Sequence, residues 1–263
     1  RLRFELDQYV NLRPVRLLRG VTSPLANPGE IDIAMVRENT EGEYSDAGGR
    51  VHRGTPHEVA VQESIFTRRG VERVVRYGYE LAMRRKKNLV GATKSNGLSI
   101  TMPFFDEVFR QAGTEYPDVE SSLMHVDALS AQLVLRPQRF DVIVGSNLFG
   151  DILSEIMAAV SGSIGIAASA NLDPERRFPS LFEPIHGSAP DIAGQGIANP
   201  AGAIWSAAMM LEHLGHPESG KRILDALEAV LASGVKTRDL GGDANTIEVT
   251  DAVIAHIRNA DAT

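Results

Sequence analysis

The chain has 263 residues, enough for one large or two modest domains. It is 43% hydrophobic and 23% charged, and its net charge of -7 gives no support to a general nucleic-acid surface. There is no cysteine, which excludes disulfides, thiolate chemistry and zinc–thiolate sites, and no apolar run reaches the ~18 residues of a membrane-spanning helix. No secretory signal is visible, so a cytoplasmic location is the expectation.

The opening "RLRFELDQYV" predicts a helix that ends before Pro14. It reads as the inside of a helix, not a natural start, so further sequence upstream is expected. "VRLLRGV" reads as a short strand and "SPLANPGE" as a loop. An apolar strand over 31–36 delivers Arg37 and Glu38 at its end. "TEGEYSDAGGRVHRGTPHE" is a polar loop or hairpin, and "VAVQESIF" alternates like a strand. The stretch "TRRGVERVVRYGYELAMRRKK" predicts a helix capped by Thr67, with Val71, Val74, Val75, Tyr79 and Leu81 on its apolar side. "NLVGATKSN" is a strand leading to Lys94, and "MPFFDEVFRQAGTEYP" a helix. "VESSLMHVDALSAQLVLRP" passes from strand to helix around Asp127. A strand over 141–144 precedes a helix in "DILSEIMAAVSG". This alternation predicts an α/β fold. From "SIGIAASANLD" onward the pattern is Gly-, Ala- and Ser-rich turns, then the loop "SLFEPIHGSAPDIAGQGIANP". Three helices follow, in "AGAIWSAAMMLEHLG", "GKRILDALEAVLASG" and "TIEVTDAVIAHIRNA". The C-terminal third thus reads as mainly helical, and if it belongs to a sheet-containing domain some of that domain's strands come from elsewhere.

Asp151 and Glu155 stand four apart at the start of a helix, on one face. Their repulsion is relieved by a divalent cation, which takes oxygen ligands, or by solvent at a helix start whose dipole favours acids. Asp127 either joins them in an acidic cluster or caps its own helix. Arg3, Arg13 and Arg37 carry the planar forks that suit carboxylates. Together they can grip a substrate with two such groups, although each alone reads first as a surface or salt-bridge arginine. Tyr44 is a candidate general acid if its pKa falls or the base that develops is strong, and otherwise a packed loop tyrosine. Lys94 becomes a base if desolvation or a nearby cation lowers its pKa, and is otherwise a solvated lysine. His125 reads as a packing or hydrogen-bonding histidine, Asp141 as a strand start, and "RRKK" at 84–87 as a helix end that suits the dipole. The loop at 186–200 holds three glycines and two prolines, with Asp191 and Asn199 between them. Such loops bring backbone amides close to a phosphate or cofactor, or serve structure alone. It is neither G-x-G-x-x-G nor a P-loop.

Taken together, "NLRP", "VRENTEGEY", "NLFGDILSE" and "FEPIHGSAPDIAGQGIANP" resemble, in order and spacing, the β-decarboxylating dehydrogenases of 2-hydroxy acids. This is the family of isocitrate and 3-isopropylmalate dehydrogenases. The likeness covers nearly the whole chain and is strongest to the tartrate/D-malate branch. It implies an isopropylmalate dehydrogenase-like α/β fold of two domains, here without its N-terminal segment. Residues 10–160 would form the small inserted domain for substrate and dimer, and 1–9 with 161–263 the rest of the large cofactor domain. It further implies oxidation, with decarboxylation of some substrates, of a 2-hydroxy dicarboxylic acid such as D-malate or tartrate, with NAD and Mg²⁺ or Mn²⁺. The substrate arginines would be Arg3, Arg13 and Arg37, and the catalytic groups Tyr44, Lys94 and Asp127. Asp127, Asp151 and Glu155 would hold the metal, with Glu155 standing where the family usually has an aspartate. Cofactor contacts would come from Asn96, Glu183, His186, Gly187, Ser188, Ala189, Pro190, Asp191 and Asn199. Asp191 and Asp239 favour NAD over NADP. A homodimer is implied, each site borrowing Lys94 and Asp127 from the partner, with no nucleic-acid or membrane partner. A sibling specificity for isopropylmalate or isocitrate, or a non-catalytic dimer-forming remnant, stay open. The chain by itself is expected to turn over little or not at all.

Overall fold

The computed structural model describes residues 2–260; Arg1, the first residue of the expected opening helix, and residues 261–263, the end of the expected large-domain remainder, lie outside them. A short helix α1 (Leu2–Glu5) leads into β1 (Val10–Arg16) and β2 (Asp32–Glu38). The hairpin β3 (Gly48–Val51) and β4 (Val59–Gln62) precedes α2 (Arg68–Met83). Then come β5 (Asn88–Thr93), α3 (Thr101–Gly113), β6 (Glu120–His125), α4 (Val126–Leu135), β7 (Val142–Gly145) and α5 (Asn147–Val160). The chain closes with β8 (Ala168–Leu172), β9 (Leu181–Pro184), α6 (Ala201–His213), α7 (Pro217–Ala232) and α8 (Thr246–Ala260).

Seven strands make one sheet in the order β6-β5-β7-β2-β1-β8-β9. The first four are mutually parallel, joined through helices as parallel strands must be. The junctions β2–β1, β1–β8 and β8–β9 are antiparallel. The side-chain period of 2 sorts the faces. Ile33, Met35, Val90 and Ile143 pack with Leu129, Leu133, Leu153 and Met157 of α4 and α5. Ala34, Val36, Leu89 and Val144 pack on the other face with Val71, Val75 and Tyr79 of α2 and Phe109 of α3. That second face stays apolar across β1 and β8, where Val10, Ala168, Ala170 and Leu172 meet Trp205, Leu227 and Val253 of α6 to α8. The first face turns polar at the same place. Arg37, Asn11, Arg13, Ser169, Asn171 and Glu183 occupy the alternate positions of β2, β1, β8 and β9.

Three expectations are corrected. The opening helix ends at Glu5, and "VNLRPVR" is a strand with Pro14 inside it. Pro14 is tolerated because it faces Ala34, whose amide donates away from it to the Asp141 carbonyl, and because β8 pairs β1 only as far as Leu12. No strand forms over "LLRGV", since β1 ends at Arg16. Two strands, β8 and β9, form in the C-terminal third in place of the expected turns and loop. "ASANL" is low in β-formers, and burial on both faces, not propensity, makes it a strand. Thr67 does cap α2, its side chain accepting from the Gly70 amide at 3.0 Å. Asp141 has a task that the sequence hides: it accepts from Arg85 Nε at 2.7 Å and the Lys86 amide at 2.8 Å, anchoring the basic end of α2 to the sheet.

Candidate active site

Arg37, Asp151, Lys94 and Asp127 all leave the carboxyl ends of parallel strands or the first turns of the helices that follow. In open α/β sheets ligands bind along that edge. Arg37 ends β2 with Asn11 directly opposite, and Arg13 lies two residues along β1, hence on the same face. α5 lies across this face. Its approach requires Gly150, because a Cβ there would sit 2.6 Å from the Arg37 side chain.

Asp151 is the centre of the cluster. Its Oδ1 accepts from Arg37 and from Arg13 at 3.1 Å, and its Oδ2 accepts from the Tyr44 hydroxyl at 2.9 Å. Both guanidiniums are buried and held from behind. Arg37 donates twice to Asn147 Oδ1, at 3.1 and 2.7 Å, and Arg13 donates to Asn11 Oδ1 at 2.6 Å and Ser154 Oγ at 2.7 Å. Burial pushes Arg37 down to about 10, with repulsion from Arg13 adding to it. Burial lowers Arg13 too, opposed by Asp151 and Glu155. The charge of Arg3 acts on both, and its Nη1 donates to Asn39 Oδ1 at 3.2 Å. The three expected arginines are therefore brought together. The repulsion between Asp151 and Glu155 is relieved here by arginine.

Tyr44 is placed by its neighbour. Glu43 accepts from Ser146 Oγ at 2.6 Å and the Leu148 amide at 3.1 Å, pinning the loop to the positive end of α5. The Arg37 guanidinium lies 5.6 Å from the centre of the Tyr44 ring. Burial and the bond to Asp151 push the phenol up from its ordinary value, against the fall considered from sequence. Tyr44 is thus a held proton donor.

Lys94 and Asp127 pair with each other at 2.7 Å, away from this cluster. The Lys94 bond, followed by the Ala128 amide, holds the Asp127 carboxyl below its ordinary value. At the ~4.8 Å spacing of neighbouring strands, β5 is roughly 10 Å and β6 roughly 14 Å from β2. The expected trio of Asp127, Asp151 and Glu155 does not assemble in one chain, and no three acidic or imidazole side chains converge on a metal position among the described residues. The oxygens of Asp151 and Glu155 do suit Mg²⁺ or Mn²⁺. Asn96 lies exposed in the turn after Lys94, and His125 ends β6 opposite Thr93.

The glycine-rich loop borders a cleft of about 620 Å³. His186, Gly187, Ser188, Ala189 and Asn199 line it; Pro190 and Asp191 belong to the loop but not to the wall. Ala189 is left-handed at φ 42°, a strained conformation for a residue with a Cβ. Asp239 is already engaged by Ser163 Oγ at 2.6 Å, Thr237 Oγ1 at 2.5 Å and Asn199 Nδ2 at 2.9 Å. Arg238 lines the same cleft. Glu183, on β9, accepts from Asn171 Nδ2 at 2.8 Å.

The sequence reading missed Asn11, Asn39, Asn147, Ser154 and Asn171, which hold the arginines. A signal was available: Asn11 and Arg13, like Ser169 and Asn171, are polar at alternate positions of otherwise buried strands.

Buried arginines for an acidic ligand at the carboxyl end of β2, with a separate glycine-rich cleft beyond the end of β9, make an α/β dehydrogenase type of site. The chain belongs to the isocitrate/isopropylmalate dehydrogenase family, whose family model matches residues 1–253. It is 54% identical to the probable tartrate dehydrogenase/decarboxylase of Bacillus subtilis (strain 168), over 98% of this chain and 73% of that one. It is 57% identical to the D-malate dehydrogenase [decarboxylating] of Escherichia coli (strain K12), over 96% and 72%. The isocitrate dehydrogenase of Methylococcus capsulatus superposes with a TM-score of 0.90 at 39% identity, covering 98% of this chain and 75% of that one. Among the described residues no helix is long and apolar enough to cross a membrane.

Proposed function

We propose that this protein oxidises a 2-hydroxy dicarboxylic acid, D-malate and/or tartrate, with NAD, and decarboxylates some of these substrates. The observation that carries the reading is the grouping of Arg3, Arg13 and Arg37 around Asp151 and Tyr44, supported by the likeness to tartrate and D-malate enzymes. Arg13 and Arg37 hold their forks in fixed planes, so a substrate carboxylate meets donors that need no reorganisation. Lys94, directly or through water, takes the proton of the C2 hydroxyl. Tyr44 keeps its proton at neutral pH and gives it to C3 once the β-carboxylate has left as CO₂. The loop at 186–199, with Asn96 and Glu183, would hold NAD, which would supply the hydride acceptor. Asp151 and Glu155, with Asp127 of a second copy, would hold Mg²⁺ or Mn²⁺, which would supply Lewis-acid stabilisation of negative charge there.

The reading includes a homodimer with shared sites. The outward Val51, Val59 and Val61 of the hairpin and Val134, Leu135 and Ile152 of α4 and α5 support it. It also keeps residues 10–160 as an inserted unit within 1–9 and 161–263, although the sheet runs across that division. A cytoplasmic location belongs to the same reading, with cell fractionation as its check.

Two experiments test this. Turnover of D-malate, the tartrates, isopropylmalate and isocitrate is compared with NAD and NADP in Mn²⁺, following NADH and CO₂. D-malate or a tartrate with NAD should lead; turnover confined to isocitrate or isopropylmalate refutes the assignment. Mixed dimers of Lys94→Met and Asp151→Asn should regain activity that neither parent has, because one site of each hybrid is intact. No regain refutes sharing.

A further inference from the structure

We propose that Asn171 is a positioning residue that ties the diacid-binding arginines to the strand leading into the cofactor loop, so that diacid and dinucleotide bind cooperatively. The inference rests on the function proposed above.

Asn171 is 5% exposed and stands where two chains of hydrogen bonds meet. In one, Arg13 Nε donates to Asn11 Oδ1 at 2.6 Å and Asn11 Nδ2 donates to Asn171 Oδ1 at 3.1 Å. The other hydrogen of Asn11 Nδ2 goes to Ser169 Oγ at 2.7 Å. In the second chain, Arg3 Nη1 donates to Asn39 Oδ1 at 3.2 Å and Asn39 Nδ2 donates to the same Asn171 Oδ1 at 2.9 Å. Asn171 Nδ2 then donates to Glu183 Oε1 at 2.8 Å.

The orientation of this amide is forced. Its oxygen has two lone pairs and receives two N–H groups, and its nitrogen faces a carboxylate. Turned over, it would set an NH₂ against two NH₂ donors and a carbonyl against a carboxylate. Every bond in both chains therefore donates in one direction, from guanidinium to carboxylate. Chains of this kind polarise one another, and the charges at their ends strengthen each link.

Position gives the hub its consequence. Asn11, Asn171 and Glu183 lie on the adjacent strands β1, β8 and β9, and Asn39 directly follows β2. β9 ends at Pro184, two residues before His186 of the cofactor cleft. Alongside the backbone pairing of β1, β8 and β9, Asn171 is thus the side chain that links the arginines to the strand leading to that cleft. Asn11 and Asn39 are as buried as the hub, so water cannot replace a lost partner cheaply. Ordering the arginines on a diacid orders Glu183, and ordering β9 on a dinucleotide orders the arginines. Coupling of this kind is reciprocal and typically about 5- to 150-fold.

D-malate with NADH is an unreactive pair, so calorimetry can follow binding without turnover. D-malate affinity is measured in Mn²⁺ with and without saturating NADH, for the wild type, Asn171→Ala and Asn171→Asp. The wild type should bind D-malate at least about 5-fold more tightly with NADH. In Asn171→Ala, D-malate affinity should fall about 10-fold and the enhancement by NADH should vanish, since both arms and the stem are lost. Asn171→Asp keeps an acceptor for Asn11 and Asn39 but loses the donor to Glu183. In this variant the enhancement by NADH should disappear. A purely structural role would lower the melting temperature and leave the enhancement as it was. An unchanged enhancement in the folded aspartate variant overturns the inference alone, even if the alanine variant does not fold. A wild type that binds neither ligand overturns the proposed function and the inference with it.

Discussion

Arg37 is 3% exposed and the Asp127 side chain 65% exposed, although both lie on the same edge of one sheet. The arginine half is closed on itself: the guanidiniums of Arg13 and Arg37 have Asp151 in front and an amide or hydroxyl behind. The lysine half is a single ion pair facing solvent. Desolvation explains the difference. A charge buried inside a chain must find its partners within that chain, because leaving it unpaired costs several kcal/mol. An exposed pair loses little when separated and can accept new partners. The first half is therefore complete in one chain, and the second is free to complete a site elsewhere.

The largest break comes at Asp151. Asp151→Ala leaves two buried guanidiniums side by side, and should cost about 3–5 kcal/mol in urea unfolding and abolish turnover. A cost below about 1 kcal/mol would show that solvent already screens the cluster. The matching change on the other side is Lys94→Met, which should lower turnover by about 10²- to 10⁴-fold. Its stability should stay within about 1 kcal/mol of the wild type, and a larger loss would mean that the two halves do not differ as described.

Tyr44→Phe sharpens the contrast within the buried half. Removing the phenol should slow D-malate decarboxylation by about 100-fold, with a smaller effect on substrates that are only oxidised. Because the phenol is pushed up, wild-type activity should show no falling limb from Tyr44 below its ordinary value near 10. Equal slowing of oxidation and decarboxylation would place Tyr44 in the earlier step.

The smallest effect is expected at Glu38, a buried carboxyl met by amides and the Thr40 hydroxyl and, among the described residues, by no ion-pair partner. It accepts from Thr40 N at 3.0 Å and Glu41 N at 2.8 Å, yet burial pushes it up to about 7. Between its ordinary value of 4.5 and about 7 the folded state holds the extra proton. Its contribution is therefore complete below pH ~4.5 and lost as pH rises through ~7. The wild-type melting temperature should fall by a few degrees on that account from pH 5 to 7.5, and Glu38→Gln should flatten this part of the profile. Identical profiles would show that the amide bonds outweigh burial.

Much of the frame was legible in the sequence because it is local. The Thr67 cap, the apolar side of α2, the strand that ends in Arg37 and the i, i+4 spacing of Asp151 and Glu155 each follow from a few neighbouring residues. Motif order carried the family. What tertiary structure decided is pairing at long range. Asp151 meets Arg37 across 114 positions, and Asn11 meets Asn171 across 160. β8 carries no propensity signal, Pro14 sits in a strand only because β8 stops short of it, and Asp127 turns to Lys94 instead of Asp151. The alternation of a strand tells which residues share a face. Which strand lies beside it, and in what register, is fixed only when burial forces distant polar groups to satisfy one another.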